Sequence, residues 1–175
     1  MTHGAPDGVA MLVESLAEAC DRAGFTLAVA ESCTGGSLAA AITERAGVSS
    51  FFLGGVVSYS NEVKEALLGV PANVLAEHGA VSEPTARAMA EGVQSRLGTD
   101  LGVGITGIAG PGGATPDKPV GLVFIGVSTP VRTVVRRDVW PGDRAAVRAA
   151  SVRAALELLV GEMASIPEEA RNRPK

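Results

Sequence analysis

The chain has 175 residues, which suits one compact domain with a core that needs no disulfide staples. With 46% apolar and 19% charged residues it reads as a packed globular chain and not a disordered one, and aromatic residues are so few (3%) that Val, Leu, Ile and Ala must build the core. The net charge of −4 argues against a general nucleic-acid binder, though not against a small anion held by backbone amides.

In chain order, Val9 to Ala23 places Leu12, Leu16 and Cys20 on one helical face, with Gly24 as the stop. Phe25 to Ala30 reads as a short buried strand. A helix is predicted from about Gly36 to Arg45, then a second strand over Phe52 to Tyr59. Asn61 to Leu68 predicts a short helix closed by Gly69, and Pro71 opens another that ends near Gly79. Ser82 caps a longer helix that stops at Gly98. Leu101 to Thr106 is a strand, followed by the loop GIAGPGGATPDKPVG. Leu122 to Ser128 and Arg132 to Val139 flank Thr129-Pro130 as an antiparallel hairpin whose second strand suits a sheet edge. Gly142 to about Met163 is a long helix. Helices between buried strands imply an α/β fold, a mixed and partly parallel sheet covered on both faces. A single domain is expected over 1–175, with loose tails at 1–8 and 165–175.

Cys20 and Cys33 make no disulfide framework, and a reduced cytosolic protein is the simpler reading. The N-terminus MTHGAPDGVA lacks the basic and apolar regions of a signal peptide, and no apolar run is long enough to span a membrane, so a cytoplasmic location is expected. The histidines are His3 and His78, and no HExxH, CxxC or clustered Asp triplet occurs, so no metal or bound cofactor is expected. The stretch 102-GVGITG-107 matches a dinucleotide-binding pattern, but its first glycines fall inside the predicted strand and the following IAGPGG cannot open a helix; that reading is set aside.

Three loops remain: 31-ESCTGG-36, 58-SYSNEVK-64 and 106-TGIAGPGG-113, each at the end of a predicted strand. In the first, Ser32 or Thr34 suits a helix cap, with glycines for the turn. The same helix start offers free amides, at Gly35 and Gly36, to an oxyanion or a phosphate, and Ser32 or Cys33 as a nucleophile. A serine needs a base. Twelve of the fifteen basic residues are arginine, which stays protonated, leaving Lys64, Lys118 and Lys175. Ser32 with Lys64, and Tyr59 as a proton relay, makes a workable metal-free hydrolase; Lys118 is the rival lysine. The third loop suits a backbone cradle for a flat ring or phosphate, with Thr106 offering a hydroxyl.

AESCTGG, VSYSNEVK, HGAVSEP, GITGIAGPGG, KPVG and PGDR occur in this order and together resemble the CinA C-terminal domain family, the nicotinamide-nucleotide amidohydrolases, over about Leu12 to Leu159. The resemblance implies a three-layer α/β/α domain that hydrolyses the carboxamide of nicotinamide mononucleotide to nicotinate mononucleotide and ammonia, in pyridine-nucleotide salvage. It places the serine on Ser32 and the tyrosine and lysine on Tyr59 and Lys64. It puts Thr106, Gly107, Ala109 and Gly110 near the substrate, with Thr34, Gly35, Gly36, Asn61 and Arg144 as further substrate contacts. A stand-alone domain and a homodimer are expected, with a small-molecule substrate and no nucleic-acid or membrane partner. A catalytically silent nucleotide-binding module, a competence- or damage-linked interaction protein and a hydrolase of another amide remain as alternatives.

Overall fold

The computed structural model describes residues 8–171, so His3, Lys175, nearly all of the expected N-terminal tail and the last four residues of the C-terminal one lie outside the described residues. The elements are α1 (Gly8–Ala23), β1 (Leu27–Glu31), α2 (Ser37–Thr43), a 3-10 turn (Val48–Ser50), β2 (Phe52–Val57), α3 (Asn61–Leu68), α4 (Ala72–His78), α5 (Glu83–Leu97), β3 (Leu101–Gly107), β4 (Leu122–Ser128), β5 (Thr133–Val139), α6 (Arg144–Ser165) and α7 (Glu168–Arg171). They form a mixed five-stranded sheet in the order β2-β1-β3-β4-β5. β1 is parallel to both β2 and β3, and the β3–β4 and β4–β5 pairs are antiparallel. The α/β architecture expected from the helix and strand pattern is the one observed, with β5 at an edge.

Alternation along the strands sorts the helices into two layers. Leu27 and Val29 of β1, with Leu101, Val103 and Ile105 of β3, share a core with Leu16 of α1, Leu38 of α2 and Leu156 of α6. Ala28 and Ala30 face the other way, toward Leu68 of α3, Leu75 of α4 and Met89 and Val93 of α5. No helix among the described residues is long and apolar enough to cross a membrane.

The glycines of GVGITG have a packing cause. A Cβ on Gly102 would stand 2.1 Å from the Ala90 carbonyl oxygen, and one on Gly104 would stand 2.5 Å from that of Ala86. Helix α5 therefore lies directly on the strand backbone. A Cβ on Gly126 of β4 would stand 2.6 Å from the same Ala86 oxygen. The motif serves close helix–sheet approach.

Several boundaries move for local reasons. β1 runs on to Glu31 because that residue still pairs with Val57 and Ile105. β2 stops at Val57, short of Tyr59, because the Ser58 carbonyl turns away to accept from Lys64 Nζ at 2.8 Å. α2 starts at Ser37 after two left-handed glycines, Gly35 and Gly36. α6 starts at Arg144 because Asp143 Oδ1 accepts the Ala146 N–H at 2.9 Å. The C-terminal segment is ordered further than the expected frayed tail: Ile166 is buried and α7 follows.

The glycine contacts predict opposite effects at two sites. Gly104→Ala should lower the unfolding free energy by about 1–3 kcal/mol through overpacking. Gly161→Ala, on α6 with no atom within 4 Å of the added carbon, should raise it by about 0.5–1 kcal/mol. Urea unfolding midpoints of the two variants check both signs.

Candidate active site

β1 delivers two residues to one end of the sheet. The first, Glu31, is a carboxylate only 1% exposed. It folds back onto the start of α2, where Oε2 accepts from the Gly36 and Leu38 N–H groups at 3.1 and 3.0 Å and Oε1 from that of Ala39 at 2.9 Å. A negative charge on the amides of a helix start is a stable arrangement. Glu31 thus caps α2, and neither Ser32 nor Thr34 does. Gly35, with φ of 57°, donates its N–H to the Ser32 carbonyl at 3.1 Å. The amides of Gly35 and Gly36 are therefore engaged within the turn itself, which corrects their expected service to an oxyanion or phosphate. The Cys33 and Thr34 amides have no carbonyl or carboxylate acceptor among the described residues.

Ser32 continues the β1–β3 pairing by donating its N–H to Ile105 O at 2.9 Å, which fixes the direction of its side chain. Its Oγ lies 3.3 Å from Lys64 Nζ. Lys64 comes from α3, which Ser60 caps by accepting the Val63 N–H and Gly69 closes. Its side chain is 1% exposed. The amine donates to the carbonyls of Ser58 at 2.8 Å and Tyr59 at 3.5 Å, and it has no carboxylate partner among the described residues. Loss of solvent pushes its pKa below the usual lysine value, opposed only by the Cys33 thiol in its charged form.

Cys33 is buried beside this pair. Burial, helped by the Glu31 charge, pushes its thiol up to about 11, although its own backbone amide and the Arg144 and Lys64 charges oppose the shift. At neutral pH it is a thiol and a poor nucleophile. Lys118, the rival lysine, donates to the His78 carbonyl at 2.7 Å and lines no part of this site.

A pocket of about 260 Å³ opens over Ser32, Cys33 and Lys64, with Tyr59, Thr106, Gly107, Ala109, Gly110 and Arg144 among its walls. Arg144 stands at the rim, where Nη1 donates to Gly110 O at 2.9 Å and Nη2 to the Tyr59 hydroxyl at 3.0 Å. It has no carboxylate partner among the described residues. The Tyr59 phenol is thus turned to Arg144, and only the Tyr59 backbone reaches Lys64. Thr106 is buried, and its hydroxyl donates to Ala80 O at 2.6 Å, which ties down the Ala80–Val81 stretch that forms another wall. Asn61, exposed in the first turn of α3, and Thr34, fully buried with no partner for Oγ1, lie outside the pocket lining.

Sequence reasoning did not single out Glu31, Ser58, Ala80, Val81 or Arg148. Glu31 carried a signal, since an acidic residue ending an apolar strand must find buried donors. Ala80 and Val81 sit inside HGAVSEP, which was noticed only as a motif.

Residues 9–163 match the profile of the CinA C-terminal domain. The chain belongs to this family. A CinA-like protein of Mycolicibacterium gilvum is 56% identical over 138 residues, covering 78% of this chain and 33% of that protein. One of Gemmatimonas aurantiaca is 53% identical over 140 residues, covering 80% and 33%. The CinA-family chain thus spans about a third of the length of these curated relatives. Among solved structures, competence damage-inducible protein A of Klebsiella pneumoniae superposes with a TM-score of 0.88 at 36% identity, covering 92% of this chain and 100% of that one. A competence/damage inducible protein of Agrobacterium tumefaciens gives 0.87 at 37% identity, covering 91% and 98%.

The raised thiol values predict inert cysteines. At pH 8, iodoacetamide should leave Cys33 and Cys20 unmodified under conditions that alkylate free glutathione, with Cys33 labelling growing only as the pH nears 11. Peptide mass spectrometry reads the result, and rapid labelling of Cys33 at pH 8 would contradict the assigned environment.

Proposed function

We propose that this site hydrolyses the carboxamide of nicotinamide mononucleotide, giving nicotinate mononucleotide and ammonia by way of an acyl-Ser32 intermediate. The observation that carries the reaction class is the Ser32–Lys64 pair: a buried amine with no counter-ion among the described residues, 3.3 Å from a serine hydroxyl at a pocket. The resemblance of the motifs carries the choice of nucleotide, and the Arg144 guanidinium at the rim, with no carboxylate partner among the described residues, suits a phosphate-bearing substrate.

A neutral Lys64 has two N–H groups and one lone pair. The two carbonyls of Ser58 and Tyr59 take the N–H groups, which leaves the lone pair for the Ser32 hydroxyl. Lys64 accepts that proton as Oγ attacks the carboxamide carbon. The Cys33 and Thr34 amides, at the start of the turn and without a carbonyl or carboxylate acceptor among the described residues, are the donors this reading assigns to the developing oxyanion. The protonated Lys64 then hands its proton to the departing nitrogen, and ammonia leaves. Water, deprotonated by the same amine, cleaves the acyl-enzyme to the carboxylate. Tyr59 has no step here, because its phenol is held by Arg144; it shapes the rim.

The test is ammonia release from nicotinamide mononucleotide by the full chain. Ser32→Ala should lower kcat at least about 1,000-fold, and Lys64→Arg, which supplies no base, should do the same. Nucleotide binding without ammonia release would instead favour a silent binding module.

The pH dependence follows in sign. Lys64 is active when neutral, and its pKa is lowered from the ordinary 10.5. kcat/KM should therefore climb as pH rises through the lowered value, and level off at a lower pH than an unshifted lysine would allow. Between the two values the unfolded chain binds more protons than the folded one, so this group penalises the fold less as pH rises. A pH–rate profile, with pH-dependent unfolding beside it, checks both slopes.

A further inference from the structure

Arg148 lies one turn beyond Arg144 on α6, yet it is not part of the pocket wall. It makes no ion pair among the described residues. Its Nη2 instead donates to the Thr34 carbonyl at 2.7 Å and to Ser37 Oγ at 2.7 Å. The Ser37 hydroxyl and N–H also donate to that carbonyl, at 2.7 and 3.2 Å. A full positive charge is thus applied to one peptide oxygen in the turn that carries the nucleophile.

The connectivity of the turn leads from that oxygen back to Ser32. The Thr34 carbonyl shares its peptide unit with the Gly35 N–H, which donates to the Ser32 carbonyl at 3.1 Å. The Ser32 carbonyl shares its own peptide unit with the Cys33 N–H, the amide beside the nucleophile. Amide resonance couples the two ends of each unit, and chained hydrogen bonds polarise one another. A cation on Thr34 O therefore strengthens the Gly35 donor, and that donor in turn strengthens the Cys33 N–H. Glu31 holds the other side of the same turn through the α2 amides, so the turn is fixed between two opposite charges.

We propose that Arg148 is a positioning residue for acyl transfer: through the Thr34–Gly35 and Ser32–Cys33 peptide units it orients and polarises the Cys33 amide that receives the oxyanion. The inference rests on the amidase reading for its substrate, but not for the reactivity of Ser32. A small fluorophosphonate measures that reactivity directly. The Ser32 oxygen forms the bond to phosphorus, the P–F bond breaks, fluoride leaves, the serine proton passes to Lys64, and the phosphoryl oxygen takes the oxyanion position.

In the full chain, Arg148→Met should slow Ser32 phosphonylation about 10- to 100-fold. It should lower kcat for nicotinamide mononucleotide in parallel, while KM stays within about 2-fold. Arg148→Lys, which reaches one acceptor with one point charge, should recover part of the rate. Ser37→Ala, which keeps the bond from Arg148 to Thr34, should have a smaller effect than Arg148→Met. Thermal unfolding shows which variants are folded; if Arg148→Met is not, Arg148→Lys decides, since a labelling rate equal to wild type would overturn the proposal. It is equally overturned by undiminished labelling in folded Arg148→Met, by a loss confined to KM, or by a wild-type Ser32 that does not label. If wild type labels at Ser32 but releases no ammonia, the amidase reading fails and the labelling series alone decides the role of Arg148.

Discussion

A lysine amine held out of water, with no counter-ion among the described residues, is the constraint around which the site is arranged. Charging such a group is costly, and the fold does nothing to lower that cost with a carboxylate. The buried carboxylate of Glu31 is turned to the amides of α2. Had it met Lys64, the pair would have stabilised the ammonium and removed the base that the proposed reaction needs. The same chain segment thus keeps a negative charge close to Ser32 while its hydrogen bonds direct that charge elsewhere.

The sheet makes this separation possible. β1 lies between two parallel neighbours, so its last residues are held by hydrogen bonds on both sides, from Ser58 N–H to Glu31 O and from Ser32 N–H to Ile105 O. Side chains of adjacent strand residues point to opposite faces. Glu31 therefore serves the layer of α2, and Ser32 faces the layer of α3, which supplies Lys64. Close packing of α5 on the glycines of β3 and β4 completes that second layer near the strand ends, where the Ala80 stretch closes the pocket. Arg144 and Arg148, a turn apart on α6, then reach the rim and the nucleophile turn from the first layer.

Membership of the CinA C-terminal domain family and the physical reading of the site support each other but have different reach. The family profile covers residues 9–163, and the solved relatives share the fold across nearly their whole length. The chemistry rests on what surrounds one serine and one lysine in this chain. The buried thiol of Cys33, held protonated, is a poor nucleophile, which supports the choice of Ser32 in the proposed reaction.

Much of the fold was legible in the residues, because its signals are local. Apolar spacing marked α1 and the strands, Ser82 caps α5, and Gly69 and Gly98 close α3 and α5. Ser32, Lys64, Tyr59 and the glycine loop were legible too, as chemically suitable types placed after strands. Four matters were decided only in three dimensions. Lys64 meets Ser32, and Lys118 meets the His78 carbonyl instead, because α3 packs against the end of β1. The Gly35 and Gly36 amides were withdrawn from any ligand by Glu31 and by the Ser32 carbonyl. The Tyr59 phenol was drawn to Arg144, 85 residues away in the chain. Arg148 was brought to the Thr34 carbonyl from 114 residues away. Residue type and spacing state what a side chain can do; burial and long-range hydrogen bonds select which of its possible partners it has, and those depend on how the layers close.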